Sequence, residues 1–150
     1  KALGCHGAVV LGSQKLKEYL VNFSRSFIYT TGLPPHALAT IKQVYQFLES
    51  INGVKSIQRL YENIHHFKTE IERLQLNFIK SNSAIHCCVV SGNEQTKRVA
   101  KKMQDIGFDV KPILSPTVAE GQERLRFCLH SYNTKKEITQ VLENLSTFVK

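Results

Sequence analysis

Three short strand-like segments, separated by segments with helical periodicity, constrain the fold of this chain more than any other feature. They cover residues 83–90, 108–114 and 124–130, and each is rich in apolar side chains. The third segment, RLRFCLH, alternates polar and apolar residues, which is typical of a strand with one buried face. Because helical patterns separate the three segments, the sequence predicts an α/β fold in which about three strands pack against helices.

Apolar residues recur every three or four positions in the helical segments, as they do on one face of a helix. In the last such segment, Ile138, Val141, Leu142 and Leu145 share one side. The helices predicted in this way cover residues 14–23, 36–50, 54–74, 94–106 and 134–149.

The beginning of the chain predicts a piece of a larger sheet. GAVVLG, residues 7–12, predicts a short buried strand, and residues 27–29 predict a short extended segment. Pro34 and Pro35 follow, and they can open the next helix because its first turn needs no backbone donor.

A domain boundary is predicted at Asn52-Gly53, a pair that is typical of the end of a helix. Residues 1–52 are expected to be a C-terminal remnant of a large domain with its linking helix. Residues 53–150 contain strands, helices and apolar faces of their own, so they are expected to form a small C-terminal domain.

The chain is basic, with 20 lysines and arginines against 12 aspartates and glutamates and a formal net charge of +8. Such a balance suits a nucleic acid or another phosphate-rich partner. The basic residues are scattered over the polar faces of the predicted helices, however, and no RNP, zinc-finger or helix-turn-helix signature accompanies them. A solvated surface is therefore favoured, and neither nucleic acid nor a membrane is expected as a partner. A non-catalytic α/β binding module with a basic surface remains the alternative from another class.

The cysteines and histidines predict no metal site. Cys87 and Cys88 would point to opposite faces of a strand, so one ion cannot easily bind both. The cysteines are therefore interpreted as buried thiols of a cytosolic protein. Four histidines are expected on the surface or partly packed, including the adjacent pair on a predicted helix, where successive side chains diverge by about 100°. The residues concerned are Cys5, Cys87, Cys88, Cys128, His65, His66, His86 and His130.

Three stretches together carry a resemblance to a known family. KALGCHGAVVLG, residues 1–12, resembles the lysine loop and following strand of the α-oxoamine synthases, which are pyridoxal-phosphate (PLP) enzymes of fold type I. FIYTTGLPP, residues 27–35, resembles that family's phosphate-contact segment. SPTVAEGQERLRFCLHSYNTKKEI, residues 115–138, resembles its substrate-carboxylate strand and last helix. The three stretches occur in the family's order, and the resemblance covers the whole chain.

The resemblance implies a role for five residues. Lys1 corresponds to the lysine that holds PLP as a Schiff base, so the chain is expected to be the C-terminal part of a longer enzyme and inactive alone. Thr30 and Thr31 correspond to a pair that contacts the phosphate of the partner subunit's PLP. Arg126 corresponds to an arginine that binds the carboxylate of the amino acid, and Thr117 to a threonine of the substrate site.

Periodicity alone does not choose between the two arginines of RLRFCLH. Arg124 and Arg126 lie on the same face of the predicted strand, and the resemblance selects the second. The chain also departs from the family at Leu114-Ser115, where an arginine often precedes the PTV-like stretch. A polar contact to the acyl substrate from that position is therefore in doubt.

The function implied by the resemblance is a decarboxylative condensation of an amino acid with an acyl-CoA or acyl-carrier-protein thioester, in a cytoplasmic homodimer. SAIHCCVVSGNE and the PTV of SPTVAEG resemble the biotin-pathway branch, which uses L-alanine and a pimeloyl thioester. The alternative within the family uses glycine and acetyl-CoA.

Overall fold

A three-stranded antiparallel sheet organises the second of two compact units in this chain. The computed structural model describes residues 3–149, and the division between the units falls between Val54 and Lys55. The strands are β1 (Ile85–Val89), β2 (Lys111–Ile113) and β3 (Arg124–Cys128), and β3 lies between the other two. The predicted α/β fold with about three strands is confirmed.

The alternating sequence of β3 explains the two faces of the sheet. Leu125 and Phe127 are buried, and so is Leu129 just beyond the strand. The arginines that alternate with them, Arg124 and Arg126, point to the opposite face. The face predicted to be apolar therefore contributes to the core, and the arginine face is left uncovered within this unit.

Six helices are formed by the described residues: α1 (Gln14–Phe23), α2 (Arg25–Ile28), α3 (Pro35–Glu49), α4 (Ile51–Leu74), α5 (Asn93–Asp105) and α6 (Lys135–Val149). The predicted helices are thus confirmed, with ends that shift by a few residues. Pro34 caps α3 and Pro35 is its first residue, as expected from a ring that fixes φ and lacks an N–H. Helix α6 begins with a capping box, in which the Thr134 amide donates to Glu137 (2.8 Å) and the Glu137 amide donates to the Thr134 hydroxyl (3.2 Å).

The core of the second unit forms between the apolar face of the sheet and helices α4, α5 and α6. Full burial of each large apolar side chain stabilises the fold by about 1.5–3 kcal/mol, so this cluster is the main source of stability in the unit. Its buried apolar members are Ile64, Phe67, Cys88, Val90, Val99, Ala100, Met103, Val110, Leu125, Phe127, Leu129, Ile138, Val141, Leu142 and Leu145.

The first unit contains helices but no strand among residues 3–54. The strand predicted at 7–12 is therefore wrong for this structure. An extended segment needs a neighbouring strand to satisfy its backbone groups, and the described part of this unit supplies none. The extended segment predicted at 27–29 is also wrong. The short helix α2 occupies its place, and the Ile28 amide donates to the Ser24 carbonyl at 2.9 Å.

The helix end predicted at Asn52-Gly53 is wrong as well, because both residues lie in the first turn of α4. Gly53 has a different role. A Cβ atom at this position would overlap the carbonyl oxygen of Phe47, so only a residue without a side chain fits there. Ser50 starts the helix instead, since its hydroxyl accepts from the Gly53 amide at 3.2 Å and its carbonyl from the Val54 amide at 2.9 Å.

His86 is the histidine that the sequence misplaced. Its side chain is 1% exposed and stacks against Phe67, with ring centroids 4.7 Å apart. The reason is the period of the strand: His86 shares the inner face of β1 with Cys88, and it lies opposite Phe127 in the register. Its Nε2 atom has no hydrogen-bond partner among the described residues.

Candidate active site

Arg126 lies in the middle of β3, the strand with a neighbour on either side. The register places Cys87 opposite it on β1 and Lys111 opposite it on β2. Directly opposed residues of antiparallel strands project to the same face, so these three side chains form a row across the uncovered face. Arg126 is exposed, and within residues 3–149 its guanidinium makes no ion pair.

Arg124 shares this face but differs in its bonding. It is half-buried, and its Nε donates to the backbone carbonyl of Gln122 at 2.9 Å. Part of its donor fork is thus committed to the local backbone. Arg126 keeps a full planar fork, the geometry that matches a carboxylate with two parallel hydrogen bonds. The structure therefore separates the two arginines where the alternation of the sequence did not.

A groove of about 500 Å³ opens beside Arg126, at the end of the sheet where β3 extends beyond β2. Core residues such as Phe127 and Ile138 form its apolar part, and Lys111 and His130 are among its polar lining. Lys111 is paired with Asp109, with 2.7 Å between Nζ and Oδ1. Arg126 thus borders a space large enough for a small molecule, and its charge is not neutralised by a neighbour in the described chain.

Burial disfavours the thiolate form of Cys87 and Cys88, the two adjacent cysteines of β1. Partial burial raises the pKa of Cys87, although Arg124 and Arg126 oppose the effect. Burial raises the pKa of Cys88 to about 12. All four cysteines are free, but the prediction that they are buried holds for Cys88 alone: Cys128 is exposed, and Cys5 and Cys87 are half-buried.

Thr117 lies in the 114–123 loop, which joins β2 to β3. The side chain is exposed, and its hydroxyl has no partner among residues 3–149. The loop leads into β3, which begins at Arg124. Arg126 is two residues further on, about 7 Å along the strand. Thr117 and Arg126 both lie in the second unit.

Thr30 and Thr31 lie in the first unit, between α2 and the proline pair that opens α3. Both side chains are exposed, and neither hydroxyl is bonded within the described part of the chain. Two adjacent free hydroxyls are suitable donors for an anionic oxygen. Lys1, the fifth predicted residue, lies outside the described residues.

The sequence missed two residues that shape the Thr117 loop. Asn93 contacts the loop that ends at Glu123, and Glu123 contacts the turn that contains Asn93. Glu123 is 1% exposed. A carboxylate so deeply buried needs partners, and the Gly92 amide donates to it at 2.8 Å. This bond lowers the pKa of Glu123. The only hint of Asn93 in the sequence was the turn-like stretch SGNE, residues 91–94, which follows β1.

Within residues 3–149, no group of three or more histidine, cysteine, aspartate or glutamate side chains is arranged to hold a metal ion. No helix in this range has both the length and the apolar composition needed to cross a membrane.

The sequence and the fold of the chain match those of known enzymes. The sequence model of the aminotransferase class I and II family matches residues 1–145, and the chain belongs to this family. Within it, the chain is similar to 8-amino-7-oxononanoate synthases. The synthase from Photorhabdus laumondii subsp. laumondii is 34% identical over 148 residues, which are 99% of this chain and 38% of the relative.

Solved structures lead to the same group. The crystal structure of 8-amino-7-oxononanoate synthase from Francisella tularensis superimposes with a TM-score of 0.84 at 34% identity, over 98% of this chain and 42% of that one. A serine palmitoyltransferase variant from S. paucimobilis with bound PLP and myriocin gives a TM-score of 0.82 at 21% identity, over 98% of this chain and 37% of that one. The latter likeness supports the fold alone. The resemblance predicted from the three sequence stretches is confirmed, and the chain spans about two fifths of the length of these relatives.

Proposed function

We propose that this chain is part of a PLP-dependent acyltransferase that condenses L-alanine with a pimeloyl thioester. Carbon dioxide and the thiol carrier, coenzyme A or an acyl carrier protein, leave, and 8-amino-7-oxononanoate forms. The observation that carries the proposal is Arg126, which is exposed at the centre of a sheet and makes no ion pair among residues 3–149, in a chain 34% identical to synthases of this name.

The residues present fit the cofactor. The free hydroxyls of Thr30 and Thr31 are suitable donors to the phosphate of PLP. Lys1 would bond covalently to the aldehyde carbon of the PLP in its own subunit, whereas the two threonines would serve the PLP of the partner. When bound, PLP acts as an electron sink for the α-carbon of an attached amino acid, which allows a bond to that carbon to break.

Arg126 would bind the carboxylate of L-alanine through two parallel hydrogen bonds. The paired central strand fixes the backbone of Arg126, and a carboxylate bound to its fork would influence which α-bond is aligned for cleavage. Lys1 would accept the α-proton, which requires a neutral amine. Removal of the amine from water and a cationic neighbour both lower a lysine pKa toward that state.

The assembly is proposed to be a cytoplasmic homodimer. Thr30 and Thr31 would serve the PLP of the partner subunit, as in the segment that FIYTTGLPP resembles. Free cysteines, including the exposed Cys128, support a reducing compartment. The 150-residue chain is proposed to be inactive without the remainder of such an enzyme.

The experiment that tests the function is a kinetic comparison of Arg126→Lys with Arg124→Lys in the full-length enzyme. Lysine keeps the charge but cannot reproduce the planar fork. We expect Arg126→Lys to lower kcat/KM for L-alanine by about 30- to 1000-fold, which corresponds to roughly 2–4 kcal/mol. The KM for the acyl thioester should change much less.

Arg124→Lys is the matched control, and its effect should be mild because Arg124 already donates to its own backbone. If Arg124→Lys is the damaging change, the assignment between the two arginines is wrong. If neither affects the amino acid, the carboxylate site lies elsewhere. Parallel assays with L-alanine plus pimeloyl thioester and with glycine plus acetyl-CoA distinguish the two branches, and turnover of the second pair alone would refute the proposed substrates.

A further inference from the structure

The 114–123 loop is fastened at both ends to one turn of the chain. That turn, residues 90–93, joins β1 to α5, so the two segments are distant in sequence. At the loop's second end, the Val90 amide donates to the Glu123 carbonyl at 2.9 Å, and the Ser91 hydroxyl donates to the Gly121 carbonyl at 3.0 Å. The buried Glu123 carboxylate accepts from the Gly92 amide at 2.8 Å. This end of the loop is therefore fixed mainly by buried and backbone groups.

The first end of the loop directly follows β2, and a single side chain bonds it to the 90–93 turn. The Ser115 amide donates to Oδ1 of Asn93 at 3.0 Å, and Nδ2 of Asn93 donates to the Ser115 carbonyl at 3.4 Å. The side-chain amide of Asn93 thus bonds to both the N–H and the C=O of Ser115, as the backbone of a neighbouring strand would. Asn93 is itself held, because it is the first residue of α5.

Between these anchors, residues 116–120 form a short tip. No side-chain hydrogen bond from the described residues reaches this tip, and Thr117 is two positions from the Ser115 anchor. The position of so short a tip depends strongly on its two anchors, because few backbone torsions lie between the tip residues and the anchor residues. Without the Ser115 anchor, the tip would keep its backbone hydrogen bonds within the loop, from the Val118 amide to the Leu114 carbonyl (3.2 Å) and from the Gln122 amide to the Ala119 carbonyl (3.0 Å). It would lose its bonds to the 90–93 turn at the first end of the loop.

We propose that Asn93 is a positioning residue, which fixes the 114–123 loop so that the Thr117 hydroxyl is presented to the substrate. The inference rests on the proposed function for the role of Thr117, while the attachment of the loop to Asn93 is independent of it. Asn93 makes no contact with substrate in this proposal and acts through Ser115.

The attachment is tested in the 150-residue chain by amide hydrogen exchange. Asn93→Ala removes both hydrogen bonds, so the Ser115 amide should exchange at least about tenfold faster. The Val90 amide, which donates to Glu123, should be unchanged. Asn93→Asp keeps the acceptor for the Ser115 amide and should retain most of its protection. Asn144→Ala is the matched control, because Asn144 makes its side-chain hydrogen bond within α6. Unchanged exchange at Ser115 in Asn93→Ala would overturn the proposal.

The positioning role is tested in the full-length enzyme by a double-mutant cycle with Thr117→Ala. We expect Asn93→Ala to lower kcat/KM by about 10- to 100-fold, with no loss in thermal midpoint comparable to that of a core variant. In the Thr117→Ala background, Asn93→Ala should cost little more, since the group that it positions is gone.

Losses that multiply in the double variant, or a silent Thr117→Ala, overturn the positioning role even if Ser115 exchanges faster. Failure of the proposed function has a different signature. In that case Arg126→Lys leaves the L-alanine kinetics unchanged, whereas the exchange result at Ser115 still decides whether Asn93 holds the loop.

Discussion

The two units of the chain differ in where their apolar side chains lie. In residues 55–149, helices α4, α5 and α6 bury a contiguous cluster against the sheet. In residues 3–54, helices α1, α2 and α3 bury no side chain, and aromatic residues such as Phe23 and Phe47 are exposed. Similar amphipathic patterns in sequence thus have different outcomes, since a helix is stabilised by what its apolar face contacts rather than by the face itself.

The largest expected effect is a difference in autonomous folding. Expressed separately, residues 53–150 should melt cooperatively, because they contain the whole described core. Residues 1–52 should show no cooperative transition. Circular dichroism during thermal unfolding measures both. A second fragment that melts only when residues 1–52 are restored would show that the domain boundary is wrong and that the comparison between the units fails.

The comparison is sharpened by one aromatic truncation in each unit. Phe67 has no exposed surface and contacts Phe78, His86 and Phe127, so Phe67→Ala should lower the free energy of unfolding by about 3–5 kcal/mol. Phe23 is 68% exposed, and Phe23→Ala should change the free energy of unfolding by less than about 0.5 kcal/mol. Denaturant titration of the 150-residue chain provides both values. A Phe23→Ala effect as large as that of Phe67→Ala would contradict the difference described here.

A smaller effect concerns pH and is confined to the second unit. Burial lowers the pKa of His86 below its usual 6.5, and the nearby Lys68 acts in the same direction. The folded state thus favours the neutral ring, and the unfolded state binds the proton more readily. The stabilising contribution is complete above about pH 6.5 and is lost as the pH falls from there toward the pKa of the folded state.

Unfolding free energies measured between pH 8 and 5 test this expectation with His86→Phe as the comparison. The variant should lose the decline that begins near pH 6.5, while His65→Phe should retain it. Glu70 and Glu137, whose pKa values are lowered by hydrogen bonds to Arg73 and Thr134, affect stability at a lower pH, below about 4.5. An identical decline in His86→Phe and the unchanged chain would assign the effect to another group.

Local periodicity correctly predicted the features that depend only on neighbouring residues of one segment, such as which side chains share a face of a strand or helix. β3 was predicted correctly because alternation alone determines that Leu125 and Phe127 share a side. The strand at 7–12 was predicted wrongly, because a strand also requires a neighbouring strand, and residues 3–54 supply none. Gly53 was misinterpreted for a similar reason: its small size serves a close approach to Phe47, which the local sequence does not reveal.

The candidate site was predictable in its residue types and not in its contacts. The resemblance selected Arg126, but the difference from Arg124 depends on a hydrogen bond to Gln122 that appears only in three dimensions. Asn93 was missed because its partner Ser115 is 22 residues away. His86 was predicted to be exposed or partly packed, but it is buried. Whether a histidine on a strand is buried or exposed depends on the face it occupies, and the register of the strand determines that face.

Both outer edges of the sheet are protected against pairing with a second chain. Next to β1, Phe78 forms a bridge with Cys88, and the Ile79 amide donates to the Cys87 carbonyl at 2.9 Å. At the other edge, β2 has three residues, and its middle one is Pro112, which has no N–H to offer. Short, proline-containing or covered edges oppose sheet extension and aggregation. Copies of this chain would therefore associate through side-chain surfaces rather than by forming a continuous sheet.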